Sequence, residues 1–221
     1  MILWSHLRSL DGRPARRVWR RIWQQLSQED HAAQLVEFAV SLPLLVLFVV
    51  GIFDFSGAFT LKQKLTNVAR DAARVAAAGP ANDLQHPSTT FPISVVDAFQ
   101  VIENYLVANN INDCSINIGT GTPSGLTWTF TANGNGCPAA GLTIAINRGY
   151  YFAAAAAMQP ATTNCVPSAL GGGPAQTAVI GTCVSIQYAY PWRFGRVANI
   201  LGSSTVLPST IAVASVAMNE N

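Results

Sequence analysis

Residues Ala33 to Phe55 read AQLVEFAVSLPLLVLFVVGIFDF, and from Phe38 to Phe53 no side chain carries a charge. At about 1.5 Å of rise per helical residue, roughly 20 residues cross a bilayer core of about 30 Å, so the stretch predicts a membrane-spanning helix. Glu37 stands near its start. A carboxylate at the bilayer edge is costly unless something pairs with it, which makes Glu37 a candidate functional group. Pro43 removes a backbone donor inside the run and predicts a bend. Asp54, at the far end, can reach the interface and reads as a solvated boundary residue.

The flanks suggest an orientation. Arg8, Arg13, Arg16, Arg17, Arg20 and Arg21 precede the run against Asp11, Glu29 and Asp30, an excess that favours the cytoplasmic side. Lys62, Lys64, Arg70 and Arg74 follow it and weaken that bias. All four cysteines, Cys114, Cys137, Cys165 and Cys183, lie downstream, and an even number in a loop-rich region fits disulfides in an oxidising compartment. A single-pass protein with its N-terminus cytoplasmic and its C-terminal part outside satisfies both. Of the three possible pairings, Cys114 with Cys137 and Cys165 with Cys183 close the shortest loops at least entropic cost. Zinc is the alternative, although no two cysteines are spaced C-x-x-C. A cleaved secretory signal fits less well than an anchor, because the n-region is long and Glu37 interrupts the approach to the apolar run.

Beyond the run, Leu61, Leu65, Val68, Ala72 and Val75 recur at steps of four and three, one apolar stripe on a helix that Gly79 and Pro80 stop. The membrane helix and this amphipathic helix therefore read as one rod from about Ala33 to Ala78. At about 1.5 Å per residue the rod is on the order of 70 Å, so half of it must project and pack against something. Residues 81–92 read as a loop. Val95, Phe99, Ile102 and Leu106 mark a second helix over Ile93 to Val107. Strands are expected at Ser115 to Ile118, Leu126 to Phe130, Leu142 to Ile146, Cys183 to Tyr190 and Thr210 to Ala217. Val184, Ile186, Tyr188 and Tyr190 alternate with Ser185, Gln187 and Ala189, the period of a strand with one buried face. Clusters of Gly, Pro, Thr and Asn over 119–141 and 160–182 read as exposed loops. The expected fold is α+β: a long N-terminal membrane-spanning helix packed on a small antiparallel sheet, with disulfide-stapled loops. The expected divisions are a basic leader at 1–32, the helix at 33–78 and an extracytoplasmic head at 79–221.

Catalytic signatures are scarce. His6, His31 and His86 are scattered, and no G-x-S-x-G, H-E-x-x-H or phosphate-binding loop occurs. Gly171 to Gly173 read as a turn, and Asp97 and Glu103 as solvated positions. No metal site, cofactor or enzymatic activity is expected. Arg13 to Arg21 with Trp19 and Trp23 interleave charge and aromatics, a pattern that nucleic-acid surfaces also use. Beside a membrane, contact with anionic lipid headgroups accounts for them more simply, and no nucleic acid is expected.

Residues 32–77 resemble the N-terminal segment of TadE-like proteins, minor pilins or pseudopilins of the tight adherence (Flp-type) pilus. The matching elements are Val36-Glu37-Phe38, Leu42-Pro43, Gly51-Ile52, Asp54-Phe55, Asn67-Val68-Ala69-Arg70 and Ala72-Ala73-Arg74. VSIQYAYPW and VASVAMNEN, with Glu220, resemble the family's closing strands more loosely. The resemblance implies a pilin-like protein of the bacterial inner membrane with a periplasmic head, which can be incorporated into an extracellular pilus. It implies a prepilin peptidase, other pilins and the assembly platform as partners. It also implies cleavage between Ala32 and Ala33, which makes Glu37 the fifth mature residue. A new ammonium on Ala33 and the Glu37 carboxylate could then pair. Ala32 stands where the family has glycine, and His31 departs from the pattern before it. An uncleaved, membrane-anchored binding module is the alternative function, and a membrane-tethered enzyme lacks a visible catalytic constellation.

Overall fold

A computed structural model describes residues 30–80, 82, 91–138, 140–153, 165, 178–193 and 208–220, with the side chains of 30–33, 151–153 and 178–180 excepted. Residues 1–29, which include His6, as well as His86 and Gly171 to Gly173, lie outside the described residues. Helix α1, Asp30–Ala78, runs unbroken through Pro43. The chain divides into two compact units, Met1–Gly51 and Ile52–Asn221.

In the first unit, the described side chains are those of α1 from Gln34 onward, and most of them are exposed, Leu47 and Val50 being partly covered. Leu35, Val36, Phe38, Val40, Leu45 and Phe48 are each more than 60% exposed. Such exposure of large apolar groups is what a nonaqueous surrounding permits. Among the described residues, one helix, within Gln34–Ala78, is long and apolar enough to cross a membrane.

The second unit is an α+β head. Helix α2, Ile93–Ala108, precedes five strands: β1 Gly121–Ser124, β2 Thr127–Ala132, β3 Leu142–Ala153, β4 Ala178–Ala189 and β5 Thr210–Met218. They form one antiparallel sheet in chain order. The register aligns core residues in rows: Trp128, Ile146 and Val184; Phe130, Ile144, Ile186 and Val213; Leu142, Tyr188 and Ile211. These rows meet Leu65, Val68, Ala69, Ala72, Ala73 and Ala76 of α1 and Val95, Phe99, Ile102 and Leu106 of α2 in one core. Phe99 lies 4.6 Å from Phe130, ring centre to ring centre. Each large side chain so buried contributes about 1.5–3 kcal/mol of transfer free energy.

The α1 stripe differs from the sequence reading. Val75 is 38% exposed, and the buried face continues through Ala69, Ala73 and Ala76 instead. The alanines form a low, smooth face that lets a helix backbone approach its neighbours closely. At its end, a Cβ on Gly79 would meet Ser94 at the start of α2, so only glycine fits there.

Three further expectations are corrected. Ser115 to Ile118 is no strand: Cys114 and Ser115 adopt positive φ of 57° and 58°. Asn112 and Asp113 side chains accept from the N–H groups of Cys114 and Ser115, each at 2.9 Å. These Asx turns compete with extended backbone. Within the stretch 119–141 the strand expected at Leu126 to Phe130 is present as β2, but Gly121–Ser124, expected as exposed loop, pairs with it as β1. The third correction concerns β4, whose small residues Ser185 and Ala189 are buried along with Val184, Ile186 and Tyr188, so burial does not follow a single alternate face.

Both disulfides lie in the head, joining Cys114 to Cys137 and Cys165 to Cys183. No cysteine is free, so these sulfurs are not zinc thiolates. Cys114 belongs to the main core. Cys183 points to the opposite face of the sheet, where Cys183, Cys165 and Tyr150 form a second small cluster flanked by Ala214 and Val216.

Candidate functional site

Ala32 and Ala33 lie in the α1 backbone, with Glu37 one turn on. Residues four apart share a helix face, so an ammonium at Ala33 would start on the same face as the Glu37 carboxylate. Glu37 is exposed, and it is the only charged residue between Gln34 and Phe53. Pro43 leaves the Ala39 carbonyl without its usual intrahelical donor. Nearby, Ser41 Oγ donates back to the Phe38 carbonyl at 3.2 Å. A carboxylate, an uncharged apolar surface and a locally weakened ladder thus follow one another along a single helix.

Within the head, the second half of α1 is held at two places that sequence reasoning missed. The first is Asp54, expected to be solvated but only 6% exposed. Its Oδ2 accepts the Arg193 backbone N–H at 2.8 Å. The Tyr190 hydroxyl lies 3.1 Å from the Asp54 carbonyl oxygen and 3.4 Å from Oδ1. Gly57 makes room, since a Cβ there would stand 2.8 Å from the Tyr190 Oη. Trp192 packs edge-on to Tyr190 at 4.8 Å and against Phe55 at 5.4 Å. Its indole N–H donates to the Pro208 carbonyl at 2.6 Å.

Burial first, then the Asp54 charge and hydrogen bond, push the Tyr190 phenol above its ordinary value, with Arg193 opposing. Burial and then Asp113 do the same to Tyr188. The folded head therefore keeps phenolic protons that the unfolded chain gives up above pH 10.0. Stability is fully present below that pH and falls as pH rises through the raised folded values. Alkaline titration monitored by near-ultraviolet circular dichroism is expected to show the loss, and Tyr190→Phe to reduce its steepness; an unchanged slope would contradict the role given to this phenol.

The second place is the C-terminal end of α1, whose last turn has no basic residue. Arg148, 1% exposed, supplies the cation from a distance. Its Nη2 donates to the Gly79 carbonyl at 3.0 Å and lies 3.5 Å from the Pro80 carbonyl. Nη1 reaches the Thr182 hydroxyl at 3.4 Å, and that hydroxyl donates to Asn219 Oδ1 at 2.7 Å. The Glu220 N–H faces the Ala77 carbonyl at 3.5 Å. A cation at a helix C-terminus opposes the negative end of the macrodipole while its N–H groups satisfy terminal carbonyls. Arg148 can turn inward because β3 is irregular between Asn147 and Tyr150. There Asn147 accepts from the Gly149 N–H and donates to the Cys165 carbonyl. A lone arginine after the apolar strand TIAIN was the available signal.

The motif around Asn67 is divided by the fold. Val68, Ala69, Ala72 and Ala73 are buried, whereas Asn67, Arg70 and Arg74 are exposed. Half of the motif thus builds the head and the other half is offered to the surroundings.

A membrane-competent helix that continues into a disulfide-stapled α+β head defines the class of this chain. Over residues 32–74 it matches the family model described as TadE-like protein, which establishes the resemblance for that segment. The chain matches no curated protein and no solved structure.

Proposed function

We propose that the protein is a minor pilin or pseudopilin of a Tad-type, Flp-class pilus, acting in its initiation, capping or decoration for surface adherence. The observation that carries this reading is the TadE-like segment at residues 32–74, laid out as one helix with an exposed apolar first half. In this reading the chain sits in the bacterial inner membrane with its head periplasmic. A prepilin peptidase cuts between Ala32 and Ala33, and the assembly platform moves the subunit from lipid into contact with other pilins. The exposed apolar side chains from Leu35 to Phe48 are covered by lipid before assembly and by neighbouring helices after it. The Ala33 ammonium and the Glu37 carboxylate pair with one another or across subunits, so an unprocessed chain lacks the partner that lowers the cost of the buried charge. The disulfides and the Arg148 network hold the head together during extraction. No enzymatic activity and no cofactor are assigned to it.

Pili sheared from cells and washed free of membrane are expected to contain the protein when the assembly ATPase is intact and to lack it when the ATPase is deleted. Retention in the membrane fraction of both strains would overturn the reading. Ala32, in place of the family's glycine, favours one other function: a permanently anchored extracytoplasmic binding module that never polymerises.

A further inference from the structure

The geometry points to a lipid-facing foot on the head: Tyr190, Trp192 and Arg193, clamped to Asp54 of α1, rest in the phospholipid headgroup layer where the helix leaves the bilayer. The inference rests on the membrane anchoring described above. The uncharged run of α1 ends at Phe53, and Asp54 is the first charge after it. At that level the helix presents Ile52, Phe53, Phe55 and Phe59, exposed by 68, 75, 52 and 63%. These side chains continue the apolar surface of the membrane helix past its nominal end. Water-facing domains rarely show such a contiguous aromatic surface, whereas membrane–water interfaces are enriched in amphipathic rings.

The segment after β4 is built to lie there. Trp192 is half-buried against Phe55, its indole N–H satisfied by Pro208. Its position is fixed by backbone bonds from Tyr190 N–H to the Ser209 carbonyl and from Trp192 N–H to the Tyr190 carbonyl, each 3.1 Å. Arg193 spends its backbone N–H on Asp54, and the residue is exposed. Its guanidinium is thus available to lipid phosphate, for which a planar fork of donors is suited. The Asp54 carboxylate does not face the bilayer bare, because Arg193 and Tyr190 cover it. The clamp therefore sets the depth at which the head meets the bilayer surface.

The test uses the full chain, labelled with 5-fluorotryptophan, in nanodiscs of phosphatidylethanolamine and phosphatidylglycerol, with W192F assigning the Trp192 resonance. A gadolinium chelate attached to lipid headgroups is expected to relax the Trp192 fluorine at least threefold more than that of Trp128, which is buried in the core. Asp54→Ala is expected to halve the effect on Trp192 while the Trp128 shift, a monitor of folding, stays in place. Equal relaxation of Trp192 and Trp128 in nanodisc-bound protein would overturn the foot and leave the anchor standing. Failure of the chain to enter nanodiscs would instead overturn the anchor and the foot with it.

Discussion

Glu37→Gln is expected to lower the amount of this protein in sheared pili by on the order of 100-fold or more, with its level in the membrane and its N-terminal processing unchanged. The substitution keeps size and hydrogen-bonding capacity and removes only the charge. In a filament core, the Ala33 ammonium would then be buried without its counter-charge, and breaking one side of a buried pair costs about 3–5 kcal/mol. In bulk lipid the cost is smaller, since a group near the helix end can reach the interface. The effect therefore falls on assembly and spares insertion. Quantitative immunoblots of sheared and membrane fractions measure it directly. Equal incorporation of Glu37→Gln and wild type would show that the carboxylate takes no part in subunit selection, and parallel loss from both fractions would make it a matter of stability.

The second large effect is expected at Arg148. Replacing it with Met keeps much of the volume but leaves the Gly79 carbonyl and the Thr182 hydroxyl without the donors they have now. Hydrogen bonds to charged groups are worth about 1.5–3 kcal/mol each, and an orphaned buried acceptor adds to the loss. A destabilisation of about 3 kcal/mol is the expected outcome, a large share of the roughly 5–15 kcal/mol that holds a domain folded. Arg148→Lys, with one compact charge instead of a fork, is expected to fall between Met and wild type. Urea unfolding of the full chain in detergent, followed through the buried Trp128, reads both variants. A midpoint for Arg148→Met within error of wild type would mean that the end of α1 is held by packing alone.

The parts of this fold that bury one regular face were legible in the sequence. Helix α2 follows the spacing of Val95, Phe99, Ile102 and Leu106, all buried, and β5 follows the alternation of Ile211 and Val213. The parts that depend on long-range polar contacts were not. Asp54 reads as a boundary charge because its partners lie 136 and 139 residues away in sequence. Val75 fits the periodic stripe, yet Ala76 is the residue buried, because an alanine-lined face is set by how closely the backbone approaches its neighbours. The strand pattern of β3 reads as ending at Ile146, since Asn147, Arg148 and Gly149 carry turn and charge signals, but a local irregularity lets the strand continue to Ala153. Strand β1, with the sequence GTPS, reads as a turn and is held as a short edge strand by its pairing with β2. The candidate site divides similarly. Glu37 and Pro43 announce themselves against an uncharged background, whereas the Asp54 clamp and the Arg148 anchor become visible only when the chain is folded.

The pilin reading depends first on a new amino terminus, so the most direct measurement is the intact mass and N-terminal sequence of the protein recovered from membranes of cells with and without the prepilin peptidase. The account predicts a chain beginning at Ala33 when the peptidase is present and an uncleaved chain when it is absent. An uncleaved chain in both would contradict it and leave a permanent membrane anchor in place of a pilin.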